Sequence, residues 1–320
     1  MNKKQKRKIK IGFFLDSLNR VTGGHKRRVY MANELKSRGY DVALLLKNNH
    51  FNKIWTGVIK VRGDVNPWDK DYDFLFLGDA RFSIDPFLKS NNSTRIWMMQ
   101  GAYEGDNLLG GKLFQTVNNR IYRNEKIIKL AFTTYMRDWL RIHHKATSIL
   151  APGGINTAYY YPQEFIQRET KICSVRWHVP GEWKHEIDET VRGSNWSYKE
   201  TVGREREEDM ANFYRSAGIL VTFRAPSVAG VVRDWNNPMA EAMACKTPVI
   251  TTPMGGIRDI AIQGKTAYIV ESKEEFRRVL KKCINSRTYK NQHVERAYAH
   301  IKGFEYFDMI DIVEKEIIQK

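Results

Sequence analysis

The sequence predicts an α/β chain of two doubly wound domains facing a cleft. Three observations carry that expectation. Strand-length apolar runs alternate with stretches of helical periodicity, and the series restarts after Pro162. The first strand leads through a loop to a glycine pair, Gly23-Gly24, and then a helix, the order of a ligand-binding α/β unit. The longest apolar runs, of the size of Ile11 to Leu15 and Ile219 to Phe223, are far below the ~18 residues a membrane span needs.

Ile9 to Leu15 reads as the first strand, and Val29, Ala32 and Leu35 recur at helical spacing up to Gly39. Val42 to Leu46 is the next strand and Val58 to Val61 a short candidate. Phe74 to Leu77, Ile96 to Met99, Ile127 to Phe132 and Ser148 to Leu150 complete the series. Helices are expected at about Gly111 to Arg123 and at Thr134 to His143. In the second series the strands are Ile172 to Val175, Ile219 to Phe223, Pro248 to Thr251 and Tyr268 to Val270. Helices fall at Glu205 to Ser216 and Pro238 to Ala244, and Gly255-Gly256 opens a short one. Ser272-x-x-Glu275 is a capping box ahead of a helix with Phe276, Val279, Leu280 and Cys283 on one face. Tyr306, Met309, Ile310, Val313 and Ile317 mark a closing amphipathic helix. The expected units are 1–160, 161–303 and the helix 304–320, with the ligand at the carboxyl ends of the strands between the domains.

Fifty-three Lys and Arg against 36 Asp and Glu give +17. Residues 1–160 hold 28 basic and 13 acidic side chains, whereas residues 161–320 hold 25 and 23. Six of the cations lie in the first ten positions, yet without them the first half keeps +9. A surplus confined to one half predicts an anionic partner there; a merely Lys-rich surface would charge both halves alike. Cys173, Cys245 and Cys283 lack CxxC spacing, so neither a disulfide framework nor a zinc site is expected, and the cytoplasm is the expected compartment. The start, MNKKQKRKIKIGFFLD, reads as a basic tail leading into a strand rather than a signal peptide.

Three segments carry a family resemblance. They are Gly23-Gly24-His25 with the helix through Arg38-Gly39-Tyr40-Asp41-Val42, the run ILAPGGINTAYYYP from Ile149 to Pro162, and Met210 to Val270 with its NPMAEAMACKTPVITTPMGGIRD core. In these the chain resembles the retaining GT-B glycosyltransferases, family 4-like (glycosyl transferases group 1), over about half its length. The resemblance implies two Rossmann-like domains, the C-terminal domain shortened because Arg176 to Glu205 has too few residues for the strand, helix and strand usual in the family, and a metal-independent hexosyl- or pentosyltransferase. It would move sugar from a nucleotide-sugar donor to an acceptor hydroxyl, with no cofactor beyond that substrate.

A sugar nucleotide presents a diphosphate and a ribose, so its site needs N–H donors or cations and a carboxylate. Gly23, Gly24, Gly255 and Gly256 are donor-binding candidates, and the resemblance makes Glu241 the ribose carboxylate. It likewise implies that Arg176 and Lys184, in SVRWHVPGEWKH, hold the diphosphate and neutralise the leaving group. Lys184 lies eight residues after Arg176, a wider spacing than the family pattern. Where the family has an acid eight positions before the ribose carboxylate, this chain has Arg233; Trp235 keeps the aromatic, and Asp234 is the candidate acid. On the acceptor side His25, Gln100, Tyr103 and Glu104 would border the cleft. Asp69, Asp71 and Asp73 form overlapping DxD patterns but precede a strand, at the wrong end of a sheet for a donor metal site.

The basic and aromatic stretch from Lys112 to Lys145 includes Phe114, Arg120, Tyr122, Arg123, Lys126, Lys129, Tyr135, Arg137, Trp139 and Arg141. It suits the inner face of a membrane, approached peripherally, with an envelope glycan or lipid-linked acceptor. A DNA duplex, as for a phage-type DNA-modifying transferase, is the alternative polyanion. A catalytically silent sugar-nucleotide-binding subunit and a sugar-nucleotide epimerase are the competing functions.

Overall fold

The first strand, β1 (Lys10–Leu15), shows why the first domain forms. Ile11, Phe13 and Leu15 belong to one buried cluster and Phe14 to another, the pattern of a parallel strand covered on both faces. The computed structural model describes residues 8–15, 18, 22–46, 61–62, 72–78, 88, 93–99, 101–103, 118–164, 166–176, 178–202, 205–223, 231–233 and 235–320. After β1 come β2 (Asp41–Leu46), β3 (Val61–Arg62), β4 (Phe74–Leu77), β5 (Thr94–Met98), β6 (Gly101–Tyr103), β7 (Ile127–Ala131) and β8 (Ile149–Leu150). All but β6 form one parallel sheet, ordered β3-β2-β1-β4-β5-β7-β8. Its chief helices are α1 (Gly23–Ser37) after β1 and α2 (Thr134–His144) after β7.

The second domain repeats the plan with β9 (Lys171–Ser174), β10 (Ser197–Glu200), β11 (Ile219–Thr222), β12 (Val231–Arg233), β13 (Val249–Thr251) and β14 (Tyr268–Ile269). Its five-stranded sheet is parallel and ordered β10-β9-β11-β13-β14. The helices are α3 (Gly181–Val191), α4 (Glu207–Ser216), α5 (Asn237–Ala244), α6 (Lys273–Asn285), α7 (Arg287–Asn291), α8 (Val294–Ile301) and α9 (Tyr306–Val313). Between Arg176 and α4 the chain holds helix α3 and the edge strand β10, so the stretch expected to be too short for further elements carries one of each. The sequence pattern misses both, together with β6, β12, α7 and α8. The expected helix near Gly111 lies mostly outside the described residues, its last part being a helical turn at Asn118–Tyr122.

Helix starts follow their caps. Thr22, Thr133, Asn236 and Ser272 each accept a backbone N–H three residues on. In the predicted capping box Glu275 reaches back to the N–H of Glu271 rather than Ser272, at 3.0 Å. The closing helix returns to the first domain: Arg38 pairs with Asp311 and Glu314, each at 2.6 Å, and the Tyr306 hydroxyl donates to the Arg27 carbonyl.

The ILAPGGIN run marks the crossing. A Cβ on Gly153 would collide with the Trp235 indole, and one on Gly154 would stand 2.6 Å from the Tyr306 Cα. Beside them the Ile155 N–H donates to the Phe304 carbonyl and the Tyr306 N–H to the Ile155 carbonyl, both at 3.0 Å. The two glycines therefore let a second-domain loop and the closing helix dock on the crossing strand.

Candidate active site

Strand order fixes where a ligand can sit. In the first sheet β1 lies between β2 and β4, and in the second β9 lies between β10 and β11. At such switch points the following loops diverge and leave a crevice at the carboxyl edge. The first is followed by the Gly23-Gly24 helix start and the second by the Arg176 loop. The two edges face one another, because helix starts from both sides touch. A Cβ on Gly23 would stand 2.8 Å from the Asn237 amide nitrogen, at the start of α5. Asp259, after the Gly255–Ile257 turn, accepts from both the N–H (2.7 Å) and the hydroxyl of Thr134, at the start of α2. Arg258 lies over the Tyr135 ring at 5.8 Å. Strands β6 and β12 add an antiparallel link, with Arg233 opposite Gly101 and Val231 opposite Tyr103.

One turn inside α1 and α5 lies the strongest electrostatic feature. Lys26, 7% exposed, bridges the domains: its ammonium sits 2.9 Å from Glu241 and 2.8 Å from Glu207, and donates to the Tyr160 hydroxyl at 2.9 Å. Tyr160 in turn donates to Glu207, and Tyr214 to the second oxygen of Glu241 at 3.3 Å. Burial alone would lower the Lys26 pKa, but the two carboxylates outweigh it and hold the ammonium charged. Burial lifts the Glu241 carboxyl above its usual range, with Lys26 opposing and Glu207 adding to the rise.

Glu241 is thus 5% exposed and engaged on both oxygens by protein groups. Arg176 is exposed at the end of β9; its N–H donates to Thr201 and its guanidinium to the Val202 carbonyl at 3.2 Å. Lys184 lies in the first turn of α3, 2.8 Å from Glu200 on β10, so an edge strand neutralises it. Between the Arg176 loop and α5 runs a polar chain: His178 Nδ1 is 3.1 Å from the Thr222 hydroxyl, which also accepts from Asn236 at 3.4 Å. Gly255 and Gly256 form a helical turn after β13. Gly23, Gly24 and His25 are half-buried, and Thr22 takes the His25 N–H at 3.2 Å. Asp234, Gln100 and Glu104 lie outside the described residues. Asp73 accepts the Lys10 N–H at 2.8 Å beside the start of β1, so this acid stands at the edge away from the cleft. Among the described residues no three His, Cys, Asp or Glu side chains converge as a metal site.

Lys26, Tyr160, Glu207, Tyr214 and Asp259 escape the sequence reading. Their one visible signal is Lys26-Arg27-Arg28 itself, three consecutive cations that, with Val29, make a fully buried turn of α1. Arg28 is 1% exposed and donates to the Gly24 and Phe14 carbonyls, and the Arg27 guanidinium stacks 3.8 Å from the Phe132 ring. The basic and aromatic stretch also needs correction. Tyr122 and Trp139 are core residues packed with His144, and the Lys129 ammonium is buried against the Asn124 carbonyl. Aromatic side chains prefer the interior once a neighbouring sheet offers apolar contact. Arg120, Arg123, Lys126, Arg141, His143, Lys145 and Ile142 stay exposed. Lys112 and Phe114 lie outside the described residues.

Known proteins share this fold. The family described as glycosyl transferases group 1 matches residues 159–286. Glycosyltransferase MJ1178 of Methanocaldococcus jannaschii is 32% identical over 91 residues, 28% of this chain and 24% of that relative, so the match spans about a quarter of its length. Sucrose-phosphate synthase from Thermosynechococcus elongatus superposes with a TM-score of 0.72 at 14% identity, covering 98% of this chain and 99% of that one. Anabaena HepE, solved with UDP and glucose, gives 0.71 at 9% identity over 98% and 100%. WaaG, a glycosyltransferase involved in lipopolysaccharide biosynthesis, gives 0.66 at 11% over 97% and 100%. The chain therefore has the GT-B fold, and its residues 159–286 are similar to the family described as glycosyl transferases group 1.

Proposed function

We propose that this protein is a glycosyltransferase that moves a sugar from a nucleotide-sugar donor to an acceptor hydroxyl, with retention of configuration and without a metal. The observation that carries the reading is the apposition of the Gly23-Gly24 helix start with the helix bearing Glu241, inside the family-matched segment. In this reading Glu241 accepts the ribose hydroxyls. The first-turn N–H groups at Gly23 and Gly24 and the Arg176 guanidinium meet the diphosphate, where charge grows as the glycosidic bond breaks. Lys184 supports Arg176 at longer range, and Asp234, beside Trp235, contacts the sugar. HepE was solved with UDP-glucose, which makes a uridine donor the first to try. With UDP-glucose and no acceptor, slow release of UDP and free glucose is expected. Intact donor would leave a silent binding subunit, and a changed sugar still on UDP, seen by chromatography, an epimerase.

The acceptor side of the proposal is an anionic surface, a membrane leaflet on the cytoplasmic face. Its support is the first half's charge surplus together with the exposure of Arg120, Arg123, Lys126, Arg141 and Lys145 and of Ile142, which is 55% exposed. No helix among the described residues is long and apolar enough to cross a membrane, so contact would be peripheral. Sedimentation with phosphatidylglycerol vesicles should carry the protein down. Protein left in solution by vesicles but retained by duplex DNA, with a steep salt dependence, would favour the DNA acceptor instead.

A further inference from the structure

We propose that Glu207 is a positioning residue for donor binding: it is the reserve partner that keeps Lys26 neutralised when Glu241 turns to the ribose of a nucleotide sugar. The inference rests on the ribose role proposed above for Glu241. An ammonium has three donors, and here they are matched by Glu207 (2.8 Å), Glu241 (2.9 Å) and the Tyr160 hydroxyl (2.9 Å). Glu241 meets Lys26 with one oxygen and Tyr214 with the other, so a ribose gains it only in exchange for a present partner. Were Glu241 the sole anion beside Lys26, the exchange would strand a buried ammonium, the costly half of a broken ion pair. Glu207 removes that obstacle. It stands on α4, beside α5, and Tyr160 donates to it independently of Lys26. Two carboxylates from one domain thus share a single lysine from the other, and one of them is available for release. Lys26 is at once the seam between the domains and the group whose partner changes on binding.

The consequence is a non-additive pattern that a purely structural lysine would not produce. In Glu207→Gln the lysine depends on Glu241 alone. Calorimetric titration with UDP-glucose should then show binding weakened about tenfold, the size of one charge-assisted hydrogen bond. Adding Lys26→Met to that variant frees Glu241 and should restore affinity to within about threefold of the wild type. Unchanged affinity in Glu207→Gln, or no restoration in the double variant, overturns the inference. A ligand-free melting series decides the same point separately. Glu207→Gln and Glu241→Gln should each lower the melting temperature by only about 2 to 4 °C. Together they should cost clearly more than the sum, and Lys26→Met should recover most of that excess. A loss equal to the sum overturns the exchange whatever the ligand does. A wild type that binds neither UDP nor UDP-glucose defeats the donor reading, leaving the melting series to judge the shared lysine.

Discussion

Gly154→Ala tests the way the closing helix is attached. A Cβ there would stand 2.6 Å from the Tyr306 Cα, 2.7 Å from the Tyr306 nitrogen and 2.7 Å from the Glu305 carbonyl oxygen. All three are backbone atoms, so no side chain can rotate away. Carbon contacts settle near 3.5 to 4.0 Å, which asks for a displacement of about 1 Å. The displaced segment carries the two 3.0 Å hydrogen bonds between Ile155 and residues 304 and 306. Overpacking costs about 1 to 3 kcal/mol, and a weakened hydrogen bond adds up to about 1. A loss of about 3 kcal/mol lowers the melting temperature by about 6 to 12 °C in domains of this size. Gly303→Ala is the control, because its Cβ would meet nothing nearer than the His300 carbonyl oxygen at 3.4 Å. Thermal unfolding followed by fluorescence should separate the two variants, and limited proteolysis should cut Gly154→Ala before Tyr306 first. If Gly154→Ala melts with the control, the close approach of residues 154 and 306 is wrong.

Three further outcomes are expected. Arg176→Ala should lower turnover about a hundredfold while changing donor affinity far less, since the diphosphate gains charge in the transition state; equal affinity loss with unchanged turnover would make it a binding residue only. Asp259→Ala should cost about 1 kcal/mol by removing the acceptor at the start of α2, and Asp259→Asn less; identical melting of all three proteins would remove Asp259 from the domain seam. Burial, with Arg123 and His143 adding, pushes the His144 pKa down to about 4. The folded state then binds fewer protons than the unfolded chain between there and about 6.5, so stability falls as pH drops through that window. The partly exposed ring limits the effect to about 1 kcal/mol. His144→Gln should melt with a smaller loss between pH 7 and pH 5, and an unchanged loss would contradict this.

The strands and glycine loops are legible because their signals are local. Buried parallel strands must be apolar throughout, and a helix start needs its cap within three residues. The omissions have the opposite character. In α3, GEWKHEIDETV, the buried positions are Ile187 and Glu186, the latter paired with Arg277, so little apolar periodicity shows. Strand β10, Ser197–Glu200, lies at the sheet edge and is polar, as an edge strand protected from self-pairing tends to be. The Lys26–Glu241 contact joins residues 215 positions apart, and no window along the chain contains it. Motif matching marks Glu241 yet is blind to its partner, because the partner belongs to the other domain's packing.

Charge counting fails in the same way, and its failure narrows the acceptor question. Among the described residues of the first half, five cations, namely Lys26, Arg27, Arg28, Arg95 and Lys129, are buried and serve the interior. Arg28 and Lys129 satisfy carbonyl oxygens, Arg95 reaches the Leu88 carbonyl, Arg27 covers a ring, and Lys26 joins the domains. None of these can meet an external anion, so the surplus that could do so is smaller than the sequence total. Of the basic stretch, Arg120, Arg123, Lys126, Arg141 and Lys145 remain exposed, as does Ile142 on α2. Arg141, Ile142 and Lys145 lie together at the end of α2, and two cations beside an exposed aliphatic side chain suit a headgroup layer, where charge and an inserted apolar group act together. Tracking a duplex draws on several phosphate contacts along a path, so replacing Arg141 and Lys145 by Gln should impair vesicle binding more than any residual DNA retention.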